Sequence, residues 1–184
     1  MVTKRLFIGI PLSIEIKENI KFLIEELKQT AADLKLVSVE NLHFTLKFLG
    51  DVEEGKIAEI KEKVKKAAGS CAKFPVKIKG VGVFPDINRI NVLWLGTGNS
   101  LMLPLMKRIN KQLNYIRKEE HGEQSHLTLA RVKSGKNKDK LQDFVRKFAH
   151  EEFGEMIVDK VVLCESELTK EGPVYKVVKE FGLG

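Results

Sequence analysis

Histidine is scarce in this chain, four residues in 184, and two of the four open matching tetrapeptides, His43-Phe44-Thr45-Leu46 and His126-Leu127-Thr128-Leu129. Each tetrapeptide alternates polar and apolar residues, so each calls for a half-buried β-strand with an imidazole and a hydroxyl on one face and apolar side chains on the other. With six threonines in the chain, a histidine has one two positions further on by chance about once in 30. A single His-x-Thr would most simply be a strand histidine bonded to its neighbour. Two with matching flanks point to a shared site.

The rest of the chain places each motif on a strand followed by a helix. Residues 4–10 read as a buried strand, and Pro11-Leu12-Ser13 starts a helix with the apolar stripe Ile16, Ile20, Leu23, Ile24 and Leu27. His43 to Phe48 is a strand that Gly50 ends, ahead of a second helix carrying Ile57, Ile60, Val64 and Ala67 and closed by Gly69. Phe74 to Phe84, a turn at Pro85-Asp86-Ile87-Asn88, and Ile90 to Leu95 form an antiparallel hairpin. Asn99 or Ser100 caps a third helix with Leu101, Leu105, Ile109 and Leu113 on one side, and Pro104 falls in its first turn. His126 to Val132 is a strand, Leu141, Phe144, Val145 and Phe148 mark a fourth helix, and residues 156–168 and 174–181 close the chain as strands. This order predicts an α+β protein, a single two-lobed domain over residues 1–184, with two antiparallel sheets facing a central cleft and helices outside.

Lys and Arg number 32 against 25 Asp and Glu, a formal charge of +7, which suits anionic partners such as nucleotides or RNA. Much of the charge is interspersed, as in Glu59-Ile60-Lys61-Glu62-Lys63, and reads as solvated helix faces. Abundant Lys and Glu with four glutamines is a thermophile's composition. Cys71 and Cys164 stand far apart with no Cys-x-x-Cys partner, so a disulfide framework is not expected and a reduced cytoplasm fits. Leu6 to Leu12 is too short for a signal core and runs directly into charge, and no apolar run is long enough to span a bilayer. A soluble monomer without membrane contact is expected.

Residues two apart on a strand project together about 6.5–7 Å apart. His43 and Thr45 therefore share a face, joined by Lys47, while Phe44, Leu46 and Phe48 pack into the core. His126 and Thr128 project likewise, with Leu127 and Leu129 behind them. Convergence of two such faces would let one imidazole take a proton from an attacking oxygen while the other gives one to the leaving oxygen of an in-line displacement. The threonine hydroxyls would donate to non-bridging phosphate oxygens, where charge builds up. No His-x-His, His-Glu-x-x-His or similar spacing is present, so neither a metal nor another cofactor is expected. His121 and His150 sit among charged residues and read as surface.

With both motifs in place, the chain resembles the 2H phosphoesterase superfamily and, within it, the RNA 2′,3′-cyclic phosphodiesterases historically called 2′-5′ RNA ligases. Arg5-Leu6-Phe7-Ile8-Gly9-Ile10, Asn41 to Gly50, and His126 to Arg131 resemble that family's opening strand and its two motifs. Gly82-Val83-Phe84-Pro85, Val92-Leu93-Trp94-Leu95-Gly96 and Ser166 to Tyr175 are similar to further family segments. Ser125 departs from the proline the family often carries there. The resemblance implies a bilobal fold and hydrolysis of RNA 2′,3′-cyclic phosphate ends, tRNA fragments among the candidates, to a 2′-phosphate. It also implies His43 as proton donor, His126 as proton acceptor, and weak reversible 2′-5′ ligation when a 5′-hydroxyl replaces water.

Arg131 is a phosphate-binding candidate beside Thr45 and Thr128, since guanidinium matches phosphate geometry. Strand parity turns it away from the histidines unless a bulge intervenes. Phe84 and Trp94 read as core. The loop lysines Lys133, Lys136, Lys138 and Lys140 are candidates for attracting RNA beyond the cleft. Two other readings remain open: a non-catalytic RNA- or nucleotide-binding module, and a phosphodiesterase of a small cyclic nucleotide.

Overall fold

The computed structural model describes residues 2–118, 125–169 and 172–184. Nine strands and four helices follow one another along these residues. The chain runs β1 (Thr3–Pro11), α1 (Ile14–Gln29), β2 (Leu34–Leu36), β3 (His43–Glu53), α2 (Ile57–Gly69), β4 (Phe74–Asp86), β5 (Arg89–Thr97) and α3 (Met102–Leu113). It continues through β6 (His126–Val132), α4 (Lys138–Phe148), β7 (Glu152–Val158), β8 (Lys160–Leu168) and β9 (Pro173–Gly182). All strand pairs are antiparallel and fall into two sheets, one ordered β3-β1-β8-β9 and the other β2-β6-β5-β4-β7. The α+β architecture with two antiparallel sheets agrees with the expectation from the sequence.

Helices start and pack as their patterns require. The Ser13 hydroxyl caps α1 by accepting from the Ile16 amide at 3.3 Å. The α1 stripe Ile16, Ile20, Leu23 and Leu27 is fully buried, and α1 packs with α4 against the second sheet, on β7 and β4. Helices α2 and α3 pack on each other and against the first sheet. Each histidine strand thus lies in a sheet backed by two helices, which leaves the opposite faces of the sheets for the site.

Four elements differ from the sequence expectation. Gly50 does not end its strand: β3 runs through it to Glu53, with Gly50 at φ +75° and Leu49 left without a register partner between Phe48 and Gly50. Only glycine takes that conformation readily, so the residue that looked like a terminator shapes a bulge. Residues 156–168 are not one strand, because the chain leaves the edge of one sheet at Val158 and enters the interior of the other at Lys160. The apolar stretches on either side of Asp159-Lys160 both read as strand, and a pattern within one segment does not reveal which sheet the segment joins. The three-residue β2 is too short for periodicity to show. Leu101 is 45% exposed and precedes α3 instead of joining its apolar stripe, while the Asn99 side chain accepts from the Leu101 amide at 3.3 Å.

No helix among the described residues is long and apolar enough to cross a membrane. Cys71 and Cys164 are both free thiols. Burial pushes the Cys164 thiol up to about 11, which removes it as a nucleophile near neutral pH.

Candidate active site

Both motif strands contain an extra residue at the same offset. On β3, Thr45 is opposite Gly9 and Lys47 opposite Ile8, leaving Leu46 without a register partner. On β6, Thr128 is opposite Trp94 and Ala130 opposite Leu93, leaving Leu129 without one. A bulge reverses the alternation beyond it. His43 and Thr45 therefore face the cleft, Leu46 and Lys47 are both buried, and Phe48 returns to the cleft. In the same way Thr128 faces the cleft, Leu129 and Ala130 are both buried, and Arg131 returns to it.

The bulges correct two expectations and settle the parity of a third residue. Lys47 does not share the histidine face: it is 2% exposed and its Nζ donates to Asn110 Oδ1 at 2.8 Å. Phe48 is not a core residue but lines the cleft. Arg131 does face the cleft, through the kind of bulge that strand parity required.

His43, Thr45, Phe48, Thr128 and Arg131 line one cavity of about 600 Å³. Strands β3 and β6 belong to different sheets, yet Cα atoms of the two strands come within 8 Å of each other. The Asn41 side chain donates to the Pro173 carbonyl at 2.9 Å and ties the start of β3 to β9. Among the described residues no carboxylate lines the cavity, whereas Lys35 and Arg131 both do. The wall is suited to an anion.

His43 is held firmly. Its Nδ1 lies 2.7 Å from the Asn41 carbonyl, and a carbonyl only accepts, so Nδ1 carries a proton and Nε2 is left for chemistry. Thr45 Oγ1 lies 3.1 Å from Nε2. Phe7 stacks on the imidazole, with centroids 4.6 Å apart and planes at 28°, and Tyr175 meets it edge-on at 5.1 Å. Gly9 makes room for this arrangement: a Cβ there would stand 2.9 Å from the Phe44 carbonyl and 3.1 Å from His43 Cδ2. Burial lowers the His43 pKa below its ordinary 6.5, with the Asn41 carbonyl working in the opposite direction.

His126 has a different setting. Phe84 meets its ring edge-on at 5.1 Å and 88°, and Trp94 lies 6.5 Å away. Phe84 and Trp94 pack on each other at 5.2 Å and are only half-buried. They are not core residues but form the aromatic wall of the second histidine. His126 does not itself line the cavity that its neighbour Thr128 lines.

Sequence reasoning missed Lys35, Tyr175 and the tethering role of Asn41. Lys35 sits opposite Arg131 in the pairing of β2 with β6. Burial pushes the Tyr175 phenol up, and the charge of Arg131 across the cleft opposes that rise. Tyr175 lies in a segment whose resemblance to known proteins could have flagged it, whereas Leu34-Lys35-Leu36 carries no signal of its own. Among the described residues no three His, Cys, Asp or Glu side chains gather as a metal site. His150 is exposed and His121 lies outside the described residues.

Comparison with known proteins agrees with this geometry. The family model LigT like Phosphoesterase matches residues 10–94 and 101–175. An RNA 2′,3′-cyclic phosphodiesterase of Methanocaldococcus jannaschii is 39% identical over 178 residues, covering 96% of this chain and 99% of its own. A protein of the same name from Aquifex aeolicus is 37% identical, with both chains covered in full. Among solved structures, TT0787 of Thermus thermophilus superposes with a TM-score of 0.82 at 25% identity over 97% of each chain. The apo form of Escherichia coli LigT shares the fold, with a TM-score of 0.74 at 23% identity over 100% of this chain and 99% of its own. With matched motif strands, a shared cavity and a family match over most of its length, this chain belongs to the LigT-like phosphoesterase family.

Proposed function

We propose that this protein hydrolyses RNA 2′,3′-cyclic phosphate ends to 2′-phosphates, with His43 as proton donor and His126 as proton acceptor. The observation that carries the reading is the matched pair of bulged His-x-Thr strands opening on a cavity that, among the described residues, is lined by Lys35 and Arg131 and by no carboxylate. Relatives named RNA 2′,3′-cyclic phosphodiesterase along nearly the whole chain support it.

Water attacks phosphorus and gives a proton to His126, the bond from phosphorus to the 3′ oxygen breaks, and that oxygen takes a proton from His43. The products are a 2′-phosphate monoester and a 3′-hydroxyl. Thr45 and Thr128 donate to the non-bridging oxygens, and Arg131 and Lys35 balance their charge. The Nδ1 tether to Asn41 leaves His43 Nε2 as the atom that serves the leaving oxygen. Burial favours the neutral His43 imidazole, while an anionic phosphate beside Nε2 favours the imidazolium that a donor must be.

A 5′-hydroxyl in place of water yields a 2′-5′ linkage by the same steps, weakly unless RNA structure holds the two ends together. In this reading the chain works as a monomeric two-lobed domain on RNA ends, tRNA fragments among them. Its two free cysteines suit the reduced cytoplasm.

The test is turnover of a nucleoside 2′,3′-cyclic phosphate in EDTA, followed by phosphorus NMR, in wild type, His43→Ala and His126→Ala. A 2′-phosphate product that both variants fail to make supports the reading. Undiminished turnover in either variant sinks it, and exclusive 3′-phosphate reverses the choice of leaving oxygen.

A further inference from the structure

The half of the cleft built on β3 receives no cation from its own motif, because its bulge presents Phe48 where the other presents Arg131. Positive charge reaches that end from elsewhere in the chain. The guanidinium carbon of Arg5, on β1, lies 4.9 Å from the centre of the Phe48 ring, and that of Arg117, beyond the end of α3, lies 5.2 Å from it. Neither guanidinium forms an ion pair with a carboxylate among the described residues. That includes Asp51, which is exposed and stands opposite Arg5 in the strand register.

Attraction to a ring orients a guanidinium without neutralising it. The planar N–H fork then stays available for a phosphate. Phe48 also packs beside Phe7, the ring that stacks on His43, so these groups and the imidazole share one aromatic floor. A nucleotide whose cyclic phosphate is held by the two motifs has one other phosphate close by, the diester on its 5′ side.

We infer that Arg5, Phe48 and Arg117 form a second phosphate site, which takes the phosphodiester 5′ of the reacting nucleotide. The inference rests on the phosphodiesterase reading and narrows its substrate to an oligonucleotide end in preference to a free nucleoside cyclic phosphate.

The experiment compares kcat/KM for a nucleoside 2′,3′-cyclic phosphate with that for a dinucleotide ending in the same group. Wild type, Arg117→Gln, Arg5→Gln/Arg117→Gln and Phe48→Leu are measured, each with a thermal unfolding curve to confirm folding. Wild type should favour the dinucleotide by about tenfold or more. The double variant should lose most of that preference, and Arg117→Gln, exposed and outside every helix and strand, should lose part of it. The salt dependence of the dinucleotide reaction should flatten by about 0.7 in log–log slope for each phosphate contact removed. A preference absent from wild type, or unchanged in the folded double variant, overturns the second site. Failure of wild type to turn over either substrate overturns the phosphodiesterase reading instead.

Discussion

Strands β3 and β6 share a His-x-Thr motif and a leucine bulge at the same offset, yet they furnish the cleft differently. After its bulge β6 delivers a guanidinium, Arg131, whereas β3 delivers a phenyl ring, Phe48. The histidines differ too. His43 is tied through Nδ1 to the Asn41 carbonyl and stacked on Phe7, while His126 meets Phe84 edge-on beside Trp94. A repeated local device therefore gives two projecting imidazoles, and the neighbouring elements make their surroundings unequal. Any division of labour between the imidazoles has its physical basis in those neighbours and not in the motif.

The strongest way to break this comparison is to remove each imidazole in turn. Either alanine variant should lower kcat/KM for a cyclic phosphate by about 10²–10⁴-fold. A nucleoside phosphodiester with 4-nitrophenolate as leaving group needs no proton donor, so on it His43→Ala should recover to within about tenfold of wild type while His126→Ala stays impaired. Rescue of His126→Ala alone would exchange the two roles.

The hydroxyls test whether the halves contribute alike to the phosphate oxygens. Thr45→Val and Thr128→Val should each lower kcat by about 10²-fold with a smaller effect on KM. A large loss in one variant only would mean that a single motif carries the developing charge. Arg131→Met should reduce kcat/KM by about tenfold or somewhat more, and Arg131→Lys should restore only part, because a point charge lacks the guanidinium fork.

The smallest effect concerns stability and belongs to His43 alone. Its folded pKa lies below the ordinary 6.5, so above pH 6.5 the imidazole is neutral whether the chain is folded or unfolded. As the pH falls through that value, the unfolded chain binds a proton that the folded chain refuses, and stability is lost down to the folded pKa. Between about pH 7 and about pH 5, wild type should lose more Tm than His43→Gln. Equal losses would show that the His43 surroundings do not disfavour its charged form.

Much of this was legible in the chain. The alternation around His43 and His126 marked two strands and their polar faces, and the stripes Ile16 to Leu27 and Leu141 to Phe148 marked helices that are buried as expected. Two His-x-Thr units in a chain with four histidines made the pair a candidate site from the sequence alone. Lys47, Phe48 and Arg131 were harder, because parity counted along one strand fails beyond an extra residue, and the register with β1 or β5 is what reveals that residue. Phe84 and Trp94 read as core because strand aromatics usually are; the cleft beside them depends on two sheets meeting.

By itself the sequence determined the motifs, the strand and helix periods and the face on which His43, Thr45, His126 and Thr128 project, since these follow from local backbone geometry. Only the tertiary structure decided which residues follow the bulges into the cleft, that the chain changes sheets at Asp159, and that Lys35 and Tyr175 join the site. Those depend on hydrogen-bond register and packing between segments far apart in the chain, and no pattern within one segment contains them.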